Sequence, residues 1–157
     1  MIRVQSGDFD IAKEIEALRK GPTGDSRTDM GAIVTFTGTV RDTHGMTEGE
    51  VTALTLEHYP GMTEKELARI ETEAHARWPL AATLIVHRVG RLEPGDNIVL
   101  VITASAHREA AFEAARFLMD YLKTSAPFWK RESGPEGKRW VDAKKTDTEA
   151  AARWRHE

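Results

Sequence analysis

Hydrophobic and polar positions repeat along the chain with period two in some stretches and 3.6 in others, and the two periods predict its elements. MIRVQ reads as a short opening strand, and Asp10 then caps an amphipathic helix with Ile11, Ile15 and Leu18 on one face. GPTGDSRTDMG (21–31) is a loop by its Gly, Pro and Asp content. AIVTFTGTV (32–40) alternates like a half-buried strand, RDTHGMTEGE (41–50) reads as a polar, mobile loop, and VTALTLEHY (51–59) is a second alternating strand.

After Pro60-Gly61, the segment T-E-K-E predicts a capping box between Thr63 and Glu66. The helix it opens carries Leu67, Ile70, Ala74 and Trp78 at period 3.6, and Pro79 closes it. TLIVHRV (83–89) and NIVLVITA (97–104), joined through a turn at Glu93-Pro94-Gly95-Asp96, predict an antiparallel hairpin. Ser105 is the expected cap of the longest helix, over residues 106–123, with Ala111, Ala115, Leu118 and Leu122 in its apolar stripe. Pro127 forces Ala126 out of the helical region, and FWKRESGPEGKRWV then reads as two strands around a Gly-Pro-Glu-Gly turn. The Lys-, Glu- and Ala-rich tail is expected to be helical or frayed. The order β-α-β-β-α-β-β-α-β-β, without repeat or linker, predicts one α+β domain over residues 1–157, a mostly antiparallel sheet with two or three packed helices.

The absence of cysteine narrows the chemistry. No disulfide, thiolate cluster, Cys nucleophile or persulfide can form on this chain, so any sulfur chemistry needs sulfur brought by another molecule. The net charge of −3 argues against a dedicated nucleic-acid binder but leaves room for a local basic pocket. No apolar run approaches the roughly 18–20 residues of a membrane span, and MIRVQSGDFD has no signal-peptide core, so a cytoplasmic location is expected. The six histidines show no HExxH or similar ligand spacing, so no metal site is expected; no cofactor is expected either.

Arg41 sits where a strand meets a loop, a common place for a functional side chain and equally for a solvated one. His107 and Arg108 fall in the first turn of the long helix, where cations oppose the macrodipole. Free amides and two cations make a receptor for phosphate or carboxylate there, unless Glu109 simply neutralises them. Lys123 suits the dipole at the helix end, and Lys130 beside Trp129 has a cation–π or snorkelling explanation. Taken together with Arg131, the aromatics and a sharp turn, the two lysines also fit one wall of an anion pocket. Glu57 and His58 are adjacent on a strand and point to opposite faces, so Glu57-His58-Tyr59 is read as structural. Trp78, Trp129 and Trp140 are read as core or interface residues.

FTGTVRD (36–42), LTLEHYPGMTEKEL (54–67), HRVGRLEPGD (87–96), SAHREAAFEAARFLMDYLKTSAPFWKRE (105–132) and GKRWVDA (137–143) resemble, in order and spacing, the catalytic large subunit of molybdopterin synthase. The resemblance implies an α/β-hammerhead-like fold and a sulfur transferase of molybdenum-cofactor biosynthesis. In that family a small ubiquitin-like subunit carries a C-terminal thiocarboxylate, threads its tail into the large subunit, and donates sulfur to cyclic pyranopterin monophosphate. Two transfers generate the dithiolene of molybdopterin, in a heterotetramer with a central dimer of large subunits.

Position by position, the resemblance implies that Lys123 and Lys130 are the catalytic pair. Lys123 would stabilise the oxyanion or activate the acyl group, and Lys130 would be a second electrostatic or proton-transfer group. Arg41 with the backbone of Thr39 and Val40, plus His107 and Arg108, would hold the pterin phosphate, and Arg131 and Glu132 would complete the wall. Lys144 keeps the charge but loses the fork of the arginine expected there. His107 and Lys123 are 16 residues apart on one helix, so about 24 Å along its axis. The expectation is therefore that His107 and Arg108 of one large subunit complete the pocket of another. Two alternatives remain: a non-catalytic module docking a ubiquitin-like tail or an anionic metabolite, and a nucleotide or nucleic-acid binder built on the basic-aromatic stretch.

Overall fold

A computed structural model describes residues 1–42, 53–134, 137–141 and 145–155. Eight described strands form two four-stranded sheets. One has the order β1 (Ile2–Gln5), β4 (Leu80–Arg88), β6 (Asn97–Ser105), β2 (Ala32–Thr39), with β1 parallel to β4 and the other pairs antiparallel. The other has the order β5 (Gly90–Leu92), β3 (Ala53–His58), β7 (Phe128–Gly134), β8 (Gly137–Val141), antiparallel throughout. The helices are α1 (Ile11–Arg19), α2 (Met62–Arg77), α3 (Arg108–Thr124) and α4 (Lys145–Ala152), followed by a 3₁₀ turn at Arg153–Arg155. Among the described residues no helix is long and apolar enough to cross a membrane.

The α+β class agrees with the sequence pattern, but the strands divide between two sheets instead of forming one. The switch point is Gly90, whose φ of 93° suits glycine. There the chain leaves the end of β4, and Gly90-Arg91-Leu92 pairs with β3 instead of extending the hairpin. Leu92 joins Val40, Leu54 and Leu56 in a small cluster that the hairpin reading left out.

The first sheet is covered on both faces, which is why β4 and β6 read as nearly continuous apolar runs. Leu84, Val86, Leu100 and Ile102 meet Phe9 and the Ile11, Ile15 and Leu18 stripe of α1. Ile85, Val99 and Val101 meet Leu67, Ile70 and Ala74 of α2 and Phe117, Leu118 and Leu122 of α3. The tail is helical, and its Trp154 reaches the core edge-on to Trp78 and Phe117, with its indole N–H donating to Asp120 Oδ2 at 2.8 Å. Of the other tryptophans, Trp78 packs against this core, whereas Trp129 and Trp140 are exposed.

Two helix starts differ from expectation. At α2 the Glu64 carboxylate accepts from the Gly61 N–H at 2.7 Å, two residues earlier than the expected box. Thr63 is used elsewhere: its hydroxyl accepts from the Tyr59 N–H and donates to the Pro127 carbonyl. Ser105 stays in the sheet, paired with Ala32 and Leu80, and its hydroxyl donates to the Pro79 carbonyl, so His107 becomes the residue before α3. Residues 43–52, which hold most of the loop expected at 41–50 and the start of the strand expected at 51, lie outside the described residues, as do Pro135, Glu136 and Lys144.

Candidate active site

A cavity of about 290 Å³ opens between the two sheets at the C-terminal end of α3. The strand period selects its wall from β7: Phe128, Lys130 and Glu132 line the cavity, while Arg131 faces the other way, its guanidinium 5.6 Å from the Trp140 ring. The helix period selects Met119, Leu122 and Lys123 from α3. Leu54 and Leu56 of β3 supply an apolar floor, and Asp147 of α4 enters from the tail.

β2 ends at the cavity in a distorted register. Gly38 pairs with Val99 and Thr39 with Asn97, which leaves Ile98 unpaired, as in a bulge. Gly38 suits this crowded point, because a Cβ there would lie 2.9 Å from the Val99 side chain and one of the two would have to shift. The following Val40 is buried and pinned: its N–H donates to the Asp96 carbonyl at 2.9 Å and its carbonyl accepts from the Gly95 N–H at 2.8 Å. The Val40 amide is thus already engaged within the chain, and Arg41 and Thr39 are the exposed groups at this strand end.

Thr39, Val40, Arg41, Lys123, Lys130 and Glu132 therefore meet at one cavity. Glu132 is 6% exposed, a buried carboxylate on the same strand face as Lys130. His107 and Arg108 are exposed at the opposite end of α3 and do not reach this cavity within the chain. Arg131 is turned to the outer face. Glu57 and His58 diverge as expected, and His58 approaches Glu64 at 3.5 Å instead.

The sequence reading passed over His87, which lines the cavity at 5% exposure. Its ring stacks on Phe128 with centroids 3.7 Å apart and planes at 17°, and its Nδ1 lies 2.8 Å from the Arg88 carbonyl. Burial pushes the imidazole down to about 4, against the Arg88 carbonyl bond and aided by the charges of Lys130 and His58. The available signal was a single titratable ring inside the apolar run TLIVHRV. Asp147 sits in a tail whose composition carries no such signal.

A family model described as MoaE protein matches residues 4–125. The chain belongs to the MoaE family. A Mesorhizobium japonicum relative named molybdopterin synthase catalytic subunit is 55% identical, over 98% of this chain and 92% of its own length. An Escherichia coli relative of the same name is 61% identical over 82% of this chain and 84% of its own. The solved structure of a molybdopterin biosynthesis MoaE protein from Burkholderia ambifaria is 52% identical, with a TM-score of 0.81 over 100% of this chain and 99% of that one. The match to the family model ends before β7, but the Mesorhizobium relative extends the family likeness over nearly the whole chain, including the part that holds Lys130 and Glu132.

Proposed function

We propose that this chain is the catalytic large subunit of a molybdopterin synthase and that Lys123 and Lys130 carry its chemistry. It takes sulfur from the C-terminal thiocarboxylate of a small ubiquitin-like subunit and transfers it to cyclic pyranopterin monophosphate, twice, to give the dithiolene. The observation that carries this reading is the gathering of Arg41, Lys123 and Lys130 from three separate elements around one cavity of a cysteine-free chain. Such a site needs its sulfur delivered, and it suits a phosphate ester and an anionic tail.

Once the thiocarboxylate sulfur has bonded to the pterin, water adds to the acyl carbon, whose oxygen gains negative charge in the tetrahedral state. The C–S bond then breaks, leaving the sulfur on the pterin and a carboxylate on the donor tail. In this reading the Lys123 ammonium, at the last turn of α3, stabilises the oxygen of the tetrahedral state. Lys130 is the second electrostatic or proton-transfer group, with the buried Glu132 side chain on the same strand face. Arg41 and Thr39 hold the substrate phosphate from the end of β2, and Val40 forms the fixed wall behind them. His107 and Arg108 belong to the pocket of a second large subunit in a central dimer, each end of which carries a small subunit. We propose a cytoplasmic location for the reaction.

Lys123→Ala tests the reading against a docking module without turnover. The variant is expected to lose product formation while binding the thiocarboxylated partner as the wild type does. Unchanged product formation would refute the role given to Lys123.

A further inference from the structure

Along β4 the chain buries Leu84, Ile85 and Val86 and then an imidazole, His87. A buried ring of this kind costs free energy unless its nitrogens are matched. Nδ1 lies 2.8 Å from the Arg88 carbonyl oxygen, which only accepts, so Nδ1 carries the hydrogen and Nε2 the lone pair of the neutral ring. With Nδ1 turned to its own strand's backbone, the Nε2 edge faces away from that backbone. The ring lies flat on Phe128, and Lys130 is the next residue along the same face of β7. All three residues line the cavity.

We propose that His87 is a positioning residue for Lys130: its Nε2 accepts a hydrogen bond from the lysine ammonium and aims that group into the cavity. The proposal rests on the reading of Lys130 as part of the sulfur-transfer site. Packing alone does not require an imidazole, because a phenyl ring would stack on Phe128 equally well. What histidine adds is a neutral acceptor among titratable and charged neighbours: Lys130 and Glu132 on β7, Lys123 on α3, Arg41 after β2, Asp147 on α4, and His58 on β3. The strands on either side of His87 in its own sheet present Val4 and Val99. Burial and the Lys130 charge both hold the ring neutral, so it stays an acceptor at neutral pH.

His87→Phe keeps the stack and removes the acceptor, whereas His87→Gln gives up the stack and can put an amide oxygen near the place of Nε2. With thiocarboxylated partner and cyclic pterin, the Phe variant is expected to lose about tenfold in kcat with KM little changed, as for one hydrogen bond to a charged group, and the Gln variant to regain most of it. A Phe variant as active as wild type, or more active than the Gln variant, would overturn the proposal in favour of packing. ¹⁵N NMR of the His87 ring needs no turnover and no folded His87 variant. It should show the Nδ1–H tautomer, with an Nε2 resonance that moves in Lys130→Met. A hydrogen on Nε2, or a resonance indifferent to that substitution, would overturn the contact. An inactive wild type with the NMR link intact would count against the functional reading and leave the contact standing.

Discussion

Lys123 in the last turn of α3 and Lys130 as the third residue of β7 face one cavity from two different elements. Ala126-Pro127 makes the reversal between them. Acting on one intermediate, as proposed, the two lysines would not have independent effects. Lys123→Ala and Lys130→Ala are each expected to lower kcat by roughly 10²–10³-fold, and the double variant by less than the product of the two. Single-turnover assays check this, and strictly multiplicative losses would argue for separate roles.

The exposed His107 and Arg108 at the start of α3 predict complementation between subunits. Lys123→Ala and His107→Ala/Arg108→Ala large subunits are expected to be inactive alone. Mixed in equal amounts, half of the dimers are hybrids with one intact pocket each, so about a quarter of wild-type activity should return. No recovery in a mixture shown to exchange subunits would place His107 and Arg108 outside the shared pocket.

His87 also makes stability depend on pH. Its folded value lies near 4, below the ordinary 6.5. Above pH 6.5 both folded and unfolded chains hold the ring neutral. As pH falls towards 4, the unfolded chain binds a proton that the folded chain refuses, so stability drops, by on the order of 3 kcal/mol from this ring. Urea denaturation of the wild type and His87→Phe between pH 7 and pH 4 should show the wild type losing more. Parallel curves would mean that the ring protonates freely in the fold.

The core makes a separate prediction. Phe117 is fully buried and touches Trp78, Tyr121 and Trp154. Phe117→Ala is expected to cost about 3–5 kcal/mol in denaturant melts. A cost below about 1 kcal/mol would mean that the tail carrying Trp154 does not pack as described.

How far the sequence could be read follows from which interactions are local. The Ile11, Ile15 and Leu18 stripe and the Ala111, Ala115, Leu118 and Leu122 stripe stand out because helical period and burial coincide. Arg41, Lys123 and Lys130 could be singled out because they stand at strand and helix ends, and Thr39, Val40 and Glu132 only through the resemblance of their motifs, although that all six share one cavity appears only in three dimensions. The transfer of Gly90–Leu92 to the second sheet depends on one positive φ and a partner strand more than thirty residues away, and no periodicity signals it. Thr63 and Ser105 look like caps, but long-range bonds to Pro127 and Pro79 claim their hydroxyls. Arg131 is separated from the cavity by the pleat alone, which reverses every successive side chain. His87 was hidden because its role depends on Phe128 and Arg88 in space.

The most direct test mixes the protein with a thiocarboxylated small ubiquitin-like subunit and cyclic pyranopterin monophosphate, then measures the dithiolene product. Stoichiometric conversion, two thiocarboxylates consumed per product, is the predicted result. No dithiolene, under conditions in which an established large subunit forms it, would contradict the account.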